Sequence, residues 1–494
     1  MSLTMNLTRD NIHNMPPKKG IKRALNKTML LAGIGVMLLG NMIASPALQA
    51  QDLQNALITA YETNPDLMAA RANLRATDEL LAQALGIKRP TLSAAIDATY
   101  SNNNHSSQRV NDTSETDKVG QLNISQTLFN SGKSAAEIEA AESAISAGRA
   151  ALLSTEQDIF VAVANAYLDV VRDQAILDLR KNNVTRLTRQ LEATNDRFEV
   201  GEVTRTDVGL ASSRLAGAKS DEIAAQGQLK ISQAAYERVV GIYPQDISAN
   251  ISDPMVEVDV PKDADAVIEA AIEQNPNLIQ QRHAYRQAQY SASSAKADIM
   301  PRLSANGSLY HQRNAAGRGV ETDGYSIGLN LNFPFYQGGI TASRARSAQS
   351  AAVSSMHSLN SVRRQVIEAA TSAWENYNSS LAFIGALEEE LDANRLTLEG
   401  IEQEAMVGSR TVLDILDAEQ DVMDVEVDLV SAQRNFLLQK YQMAAAMGLF
   451  NSRSLTLGGE SYDPNQHYLE VKNRLFGLDA GEERYEPPAG IIQE

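Results

Sequence analysis

The sequence has no cysteine, a single tryptophan and few aromatic residues, since Phe, Trp and Tyr together make up 5 % of its 494 residues. The absence of cysteine excludes disulfide bonds, thiol chemistry and a lipid anchor attached to a cysteine. The scarcity of aromatic side chains, beside abundant Ala, Leu, Gln and Glu, favours long helices over a compact globular core.

Recognisable catalytic and ligand-binding motifs are also missing from the sequence. The six histidines show no spacing typical of metal ligands, and no phosphate-binding loop of the GxxxxGK type occurs. Gly338 and Gly339 are better interpreted as the end of a strand than as a nucleotide cradle. The sequence therefore predicts no metal site, no cofactor and no enzymatic activity.

The first 50 residues are predicted to be a secretory signal peptide. Basic residues occur between Lys18 and Lys27, residues 29–43 are apolar, and residues 47–50 offer a cleavage site. The alternative, an uncleaved membrane anchor, is disfavoured because the apolar stretch is shorter than the ~20 residues that a spanning helix needs. No other segment is typical of a transmembrane helix.

The rest of the chain is strongly acidic. The whole sequence carries a formal net charge of −17, and residues 1–50 contribute six basic residues and one acid, which leaves −22 for the remainder. Because such a charge repels a phosphate backbone, we expect no nucleic-acid partner.

The chain after residue 50 consists of two diverged copies of one unit. Asn64-Pro65-Asp66-Leu67 returns 211 positions later as Asn275-Pro276-Asn277-Leu278, and residues 122–241 align with 329–448 at a constant offset of 207. We therefore predict a first repeat at 51–242, a linker at 243–262, a second repeat at 263–448, and a C-terminal segment at 449–494. The last dozen residues are predicted to be disordered.

Each copy contains two segments that alternate between apolar and polar residues. Leu92, Ile96 and Tyr100 alternate with polar residues, and the pattern predicts strands at 91–101, 118–128, 301–311 and 324–335. Strands of about ten residues with one apolar face are typical of a membrane β-barrel, although a half-buried sheet of a soluble domain is the alternative. Four strands cannot close alone and open edges are not tolerated in lipid, so we predict a barrel shared among several chains. The polar loops at 102–117 and 312–324 would face outside the cell.

The remaining parts of each copy predict very long helices at 133–200, 204–240, 340–407 and 411–447. A helix of about 68 residues reaches on the order of 100 Å at about 1.5 Å per residue, far beyond a single globular domain. Apolar residues spaced three and four apart predict a coiled-coil seam, which we interpret as core: Ile367, Ala370, Trp374, Tyr377, Leu381 and Ile384. The shorter helices of each copy, stacked end to end, could cover the long one.

A short turn joins the two long helices of each copy, and the two turns align without a gap. Gly201 and Gly408 can adopt the left-handed backbone that ends a helix. Thr204 and Thr411, or the acids Asp207 and Asp414 three residues later, suit the first turn of the next helix.

Taken together, the two Asn-Pro helices, the strand phrases at 122–132 and 329–339 and the two Val-Gly-x-x-Thr turns resemble the TolC family of outer-membrane efflux proteins. The resemblance covers residues 51–450. It implies a mainly α-helical chain with membrane β-strands, in which long antiparallel coiled-coil helices form a tunnel across the periplasm. It further implies a homotrimer in which each chain adds four strands to a 12-stranded barrel in the outer-membrane lipid.

The same resemblance implies a function and partners. Members of the family provide a passive exit duct for drugs or for proteins secreted by the type I route, and they dock to a periplasmic adaptor (membrane fusion) protein and an inner-membrane transporter. The competing hypothesis is a structural or adhesive coiled-coil envelope protein without a pore. The four alternating strands favour the duct, because a periplasmic coiled coil needs no lipid-facing strands.

The family's gate can be placed on matching positions of this chain. The resemblance implies that Asp414 and Asp417 form acidic rings at a constriction, which would attract cations. It also implies that Arg410 bonds toward Thr206 and Asp207 and so holds the aperture shut. One family position departs from the pattern, because a tyrosine of the lock is Ala405 here. The plainer alternative is that the acids at 207 and 414 only begin helices and that the arginine is a solvated turn residue.

Overall fold

The computed structural model describes residues 52–103, 113–244, 247, 259–314, 319–455 and 462–477. The predicted signal peptide and the predicted disordered tail lie outside these residues, as do most of the linker and parts of the two polar loops. No helix in the described ranges combines the length and apolar character that crossing a membrane requires.

The described elements repeat the order helix, helix, strand, strand, helix, helix, and a short final helix follows. Matching helices have nearly equal lengths: 11 residues in α1 and α5, 22 in α2 and α6, 67 in α3 and α7, and 36 and 35 in α4 and α8. The internal duplication is therefore confirmed. The elements are α1 Leu53–Thr63, α2 Pro65–Gly86, β1 Thr91–Asn103, β2 Thr113–Phe129, α3 Lys133–Glu199, α4 Arg205–Val240, α5 Ala264–Gln274, α6 Pro276–Ala297, β3 Arg302–Arg313, β4 Glu321–Asn332, α7 Ile340–Met406, α8 Val412–Ala446 and α9 Gln466–Lys472.

The Asn-Pro phrase begins the second helix of each copy and anchors it. Asn64 is the N-cap of α2: its side-chain oxygen accepts from the N–H groups of Asp66 and Leu67, and its amide nitrogen donates to the Val239 carbonyl at 3.0 Å. Asn275 begins α6 in the same way and donates to the Ala446 carbonyl at 3.0 Å. One side chain thus caps a helix and also fastens it to the end of the long hairpin.

The four strands form one antiparallel sheet in the order β1-β2-β3-β4. Neighbouring residues in the register place Leu92, Ile124, Gly307 and Ile327 in one row across the sheet. On this face Ile327 is 85 % exposed, and the opposite face carries the polar row Ser93, Asn123, Ser308 and Ser326. The sheet therefore has an uncovered apolar face, and the outer edges of β1 and β4 have no neighbour among the described strands.

The strand boundaries differ from the predicted ones in both copies: β2 begins at Thr113 instead of 118, and β4 is shifted toward the N-terminus. The last strand was predicted at 324–335, but β4 runs from Glu321 to Asn332. Pro334 lacks the N–H that a ladder needs, so pairing stops before it. Phe333 and Phe335 instead contact each other edge to face, with ring centroids 4.3 Å apart.

Each long helix is covered by the shorter helices, as predicted. Within its own copy α3 packs against α1, α2 and α4, and α7 packs against α5, α6 and α8. The main core forms where Phe160 of α3 meets Tyr61 and Phe450, and Tyr441 of α8 stacks on Phe450. The predicted seam of α7 is wrong at Leu381, which is 49 % exposed in the single chain.

Replacement of Ile327 by lysine tests which face of the sheet meets lipid. Because its side chain lies on the apolar face, a charge there should cost about 2–4 kcal/mol at the bilayer midplane and reduce insertion. The measurement is the yield of heat-modifiable, folded protein in isolated outer membranes. Ser326→Lys places the same charge on the opposite face and should insert normally, and equal yields from both variants would contradict this orientation.

Candidate functional site: the two helix turns

The turn between α3 and α4, here called the first tip, contains residues 197–207. Gly201 has a φ of 81°, and its N–H donates to the Phe198 carbonyl at 3.0 Å, while the Glu202 N–H donates to the Arg197 carbonyl at 2.9 Å. Two such hydrogen bonds around a residue with left-handed backbone end the helix and give its last carbonyl groups hydrogen-bond partners. Any side chain at this φ is strained, which explains the glycine.

The turn between α7 and α8, here called the second tip, contains residues 404–417 and has the same backbone. Gly408 has a φ of 80°, its N–H donates to the Ala405 carbonyl at 3.0 Å, and the Ser409 N–H donates to the Glu404 carbonyl at 3.0 Å. The predicted roles of both turn glycines are thus consistent with the geometry of the helix ends.

A capping box begins the helix after each tip. Thr204 and Thr411 are the N-caps, and the carboxylates of Asp207 and Asp414 each accept the cap residue's N–H and hydroxyl at 2.8 Å. These bonds satisfy donors that a helix start would leave unpaired. The expectation that both acids begin helices is confirmed, whereas their place at an aperture stays a prediction.

The capping bonds also set the charge of both acids. The N–H and hydroxyl of Thr204 lower the pKa of Asp207, and those of Thr411, with a smaller effect of Arg410, lower the pKa of Asp414. A folded-state pKa below the unfolded value of about 3.9 means that the stabilisation is complete at neutral pH and is lost as pH falls through the folded pKa. Both tips therefore keep their negative charge in mildly acidic solution.

The structure does not bring Arg410 to its predicted partners within one chain. Its Nε donates to Glu404 Oε2 at 2.7 Å, the guanidinium is about half exposed, and this bond raises the pKa of Arg410. Thr206 and Asp207 belong to the first tip, where the ion pair is Arg197 with Glu202 at 3.2 Å. Arg410 is thus held by its own turn.

Asp417 joins the two copies instead of pointing freely into solvent. Its Oδ1 accepts from Arg214 Nη2 of α4 at 2.5 Å, and its side chain is about half exposed. Beside it Val412 and Leu416 of α8 are buried against Leu215 of α4 in a small apolar cluster. The second tip consequently lies against the first part of α4, with an ion pair and an apolar contact between them.

Ala405, where the family's lock has a tyrosine, is buried beneath the second tip. A methyl group can neither donate nor accept a hydrogen bond, so the side chain adds packing only. The side chain at position 405 therefore supplies no hydrogen bond to a lock.

Sequence reasoning missed a buried ionic group farther along the helices. Arg434 of α8 donates to Asp169 at 2.9 Å and to Asn165 at 2.5 Å, both on α3, and burial lowers its pKa. On α3, Arg172 pairs with Asp169 and Asp173. The available signal was one arginine at a position where the other copy has glycine, which does not reveal its partner.

The arrangement offers acidic side chains and breakable ion pairs rather than reactive groups. In the described part of the chain, no cluster of His, Asp and Glu is suited to hold a metal ion. Carboxylates at the end of a helical hairpin can favour cations electrostatically when several copies converge.

Comparison with known proteins identifies relatives over most of the chain. The Outer membrane efflux protein family matches residues 57–241 and 267–449. The chain is 28 % identical over 449 residues to the Outer membrane efflux protein BepC of Brucella suis, covering 91 % of this chain and 96 % of that protein. It is 28 % identical over 416 residues to the Outer membrane protein TolC of Vibrio cholerae, covering 83 % and 94 %.

A solved structure has the same fold. The outer membrane protein VceC from Vibrio cholerae superposes with a TM-score of 0.70 at 21 % identity, and the alignment covers 81 % of this chain and 97 % of that one. The two ranges matched by the family include the first tip and the second tip respectively.

Substitution of the cap residue tests the local stability of the second tip. Thr411→Ala removes the hydroxyl of the capping box and should cost about 1 kcal/mol, so the first-turn amides of α8 should exchange roughly fivefold faster. Hydrogen exchange with mass spectrometry on peptides around residue 411 measures this. Ser212→Ala, at an exposed position of α4, is the control and should leave exchange in the first turn of α4 unchanged. Equal acceleration in both variants would contradict the capping role.

Proposed function

The chain belongs to the Outer membrane efflux protein family, and we propose that three copies of it assemble into a passive exit duct across the outer membrane and the periplasm. It is an outer-membrane efflux channel whose helices extend into the periplasm. This membership disfavours the competing hypothesis of a coiled-coil envelope protein without a pore.

The open sheet with its uncovered apolar face is the observation that best supports the proposed assembly. Leu92, Ile96, Tyr325 and Ile327 are all exposed on that face, and β1 and β4 are free to pair with strands of other chains. In lipid every backbone group must be paired, so each β4 should pair with the β1 of a neighbour. Three chains then supply twelve strands, and closure removes all edges.

The proposed partners are a periplasmic adaptor and an inner-membrane transporter. The chain carries no nucleotide-binding motif, so the energy for export has to come from another protein. The hairpin tips lie at the ends of the 67-residue helices and expose charged side chains such as Glu202 and Arg410, which suits a reversible contact.

The two tips supply the proposed constriction. Threefold copies of Asp414 and Asp417 near an axis would form two acidic rings that favour cations. In the closed duct Arg410 would reach across the contact between chains to Thr206 and Asp207. This requires its bond to Glu404 to be shared or exchanged, and an exposed guanidinium with several donors can do so.

Planar-bilayer conductance is the first measurement for this proposal. The parent channel should show a small, cation-preferring conductance, and Asp414→Asn with Asp417→Asn should remove the preference because the rings lose their charge. As the pKa of Asp414 is lowered, its ring should keep its charge while the pH falls through the ordinary aspartate pKa of about 3.9, so part of the preference should be lost only at lower pH.

A matched control keeps this result interpretable. Glu388→Gln with Glu389→Gln removes the same charge from α7 far from the tip, and it should leave the preference nearly unchanged. If the selectivity of the pore does not change when the tip acids are neutralised, the proposed duct is retained and the proposed constriction is overturned. The absence of conductance from an assembled trimer would overturn the proposed duct.

Arg410→Ser tests the proposed lock. Loss of the guanidinium should raise the mean conductance severalfold, and Asp207→Asn should do the same, because each removes one partner of the contact between chains. Glu404→Gln should raise it little. Thr204→Ala disturbs the cap but keeps the Asp207 charge, so an equal rise in that variant would assign the effect to helix capping and contradict the lock.

A further inference from the structure

Because the two copies have equivalent helices, contacts within one chain indicate which helices can meet between chains. The main packing contacts of the long helix inside the first copy have counterparts inside the second: α1–α3 with α5–α7, α2–α3 with α6–α7, and α3–α4 with α7–α8. The contacts that join the two copies are different, because α6 and α8 of the second copy pack on α3 of the first, and α8 also contacts α4. We call this the internal joint.

The counterparts of the internal joint would place α2 and α4 of the first copy on α7 of the second. Among the described residues, one chain makes no comparable contact between these helices. The surfaces that would make it are therefore left open. A joint of this head-to-tail kind is completed by the next chain when identical chains form a ring.

Three ion pairs hold the internal joint. They are Lys133 with Asp298 at 2.7 Å, Arg434 with Asp169 at 2.9 Å, and Arg214 with Asp417 at 2.5 Å. They cross from one copy to the other at well-separated levels of the long helices. Among the described residues, these are the pairs between the two copies that link a Lys or Arg to an acid. For each pair, the sequence alignment of the copies gives the two corresponding positions.

None of the three counterpart positions can form an ion pair. Lys133 and Asp298 correspond to Ile340 and Ile87, which are 57 % and 40 % exposed in the single chain. Two isoleucines exposed at matching helix ends cost free energy in water unless another apolar surface covers them. These two positions are therefore suited to an apolar contact instead of an ion pair.

The middle level shows the same replacement. Arg434 and Asp169 correspond to Gly227 and Asn376, and a side chain built on Gly227 would meet no atom within 4 Å. Beside Asn376 lies a cavity of about 540 Å³. All of its polar lining is uncharged, and three of these residues, Asn376, Ser379 and Ser380, correspond to the charged Asp169, Arg172 and Asp173 of the first copy.

Two isoleucines of α4 flank this level. Leu438 and Val430 of α8 pack into the core of the first copy, and their counterparts Ile231 and Ile223 are 64 % and 70 % exposed. An equivalent placement of α4 on the α7 of another chain would bury both. At the tips Arg214 and Asp417 correspond to Asp421 and Leu210, which again cannot pair.

We propose that the face of α2 and α4 marked by Ile87, Ile223 and Ile231 docks on α7 of a second copy of this chain, with Ile87 against Ile340 and Gly227 over Asn376. This external joint copies the geometry of the internal joint but replaces its ion pairs by apolar and small residues. The inference rests on the proposed assembly and adds to it which residues meet and that the two kinds of joint are held unequally.

Thiol cross-linking tests the docking, and the cysteine-free chain supplies a clean background. Ile87→Cys with Ile340→Cys, treated in membranes with a short bismaleimide, should give covalently linked dimers and trimers on denaturing gels. Lys133→Cys with Asp298→Cys is the matched control, since its partners lie 2.7 Å apart in one chain and should link internally without increasing the mass. Gly227→Cys with Asn376→Cys repeats the test at the middle level.

A parallel sample of each variant is treated with a lysine-reactive cross-linker. Lysine-linked trimers without thiol-linked trimers from either external pair would overturn the external joint and leave the proposed assembly intact. Absence of trimers with both reagents would overturn the assembly, and the joint with it. The control with Lys133→Cys and Asp298→Cys should not link different chains. If it did, the contact assigned to one chain would lie between chains, which would contradict the inference.

Discussion

The structure depends on covering two helices of 67 residues along their whole length. The two long helices make no comparable contact with each other in the described part of the chain; each packs against several shorter helices instead, and α3 also packs against α6 and α8 from the other copy. The core forms where they converge on Phe160 and Tyr441. A unit that cannot bury its apolar surface alone gains stability by stacking against its own repeat, which is the physical reason for the duplication.

The sequence allowed prediction wherever the deciding interaction spans few residues. The Asn-Pro phrase caps a helix within three positions, the threonine of each tip bonds to an acid three residues later, and the glycine needs only its own φ. Strand alternation is local in the same sense. The four strands, the duplicated hairpins and the threonine and acid at each helix start could therefore be predicted, whereas α9 was not.

Partners that are distant in sequence could not be predicted. Asp417 pairs with Arg214, and Arg434 pairs with Asp169, across more than 200 residues of chain. Which charged residues face each other depends on how two helices rotate and slide, and one helical position changes the direction of a side chain by about 100°. Leu381 was misassigned for a related reason, since an apolar residue at seam spacing is buried only where a neighbouring helix is present.

The inequality of the two joints bears on how a duct of this kind can open. Ion pairs with directional geometry resist sliding, whereas contacts among isoleucine, glycine and uncharged polar residues change little in energy when helices shift. The internal joint carries three inter-copy ion pairs, so each chain should move as one body. The external joint has no counterpart of those pairs, so a contact of Arg410 at the tip would be the directional restraint left between chains. Breaking the contact of Arg410 at the tip would then allow the helices of the external joint to slide. A change at the tips could in this way widen the tunnel without unfolding any helix.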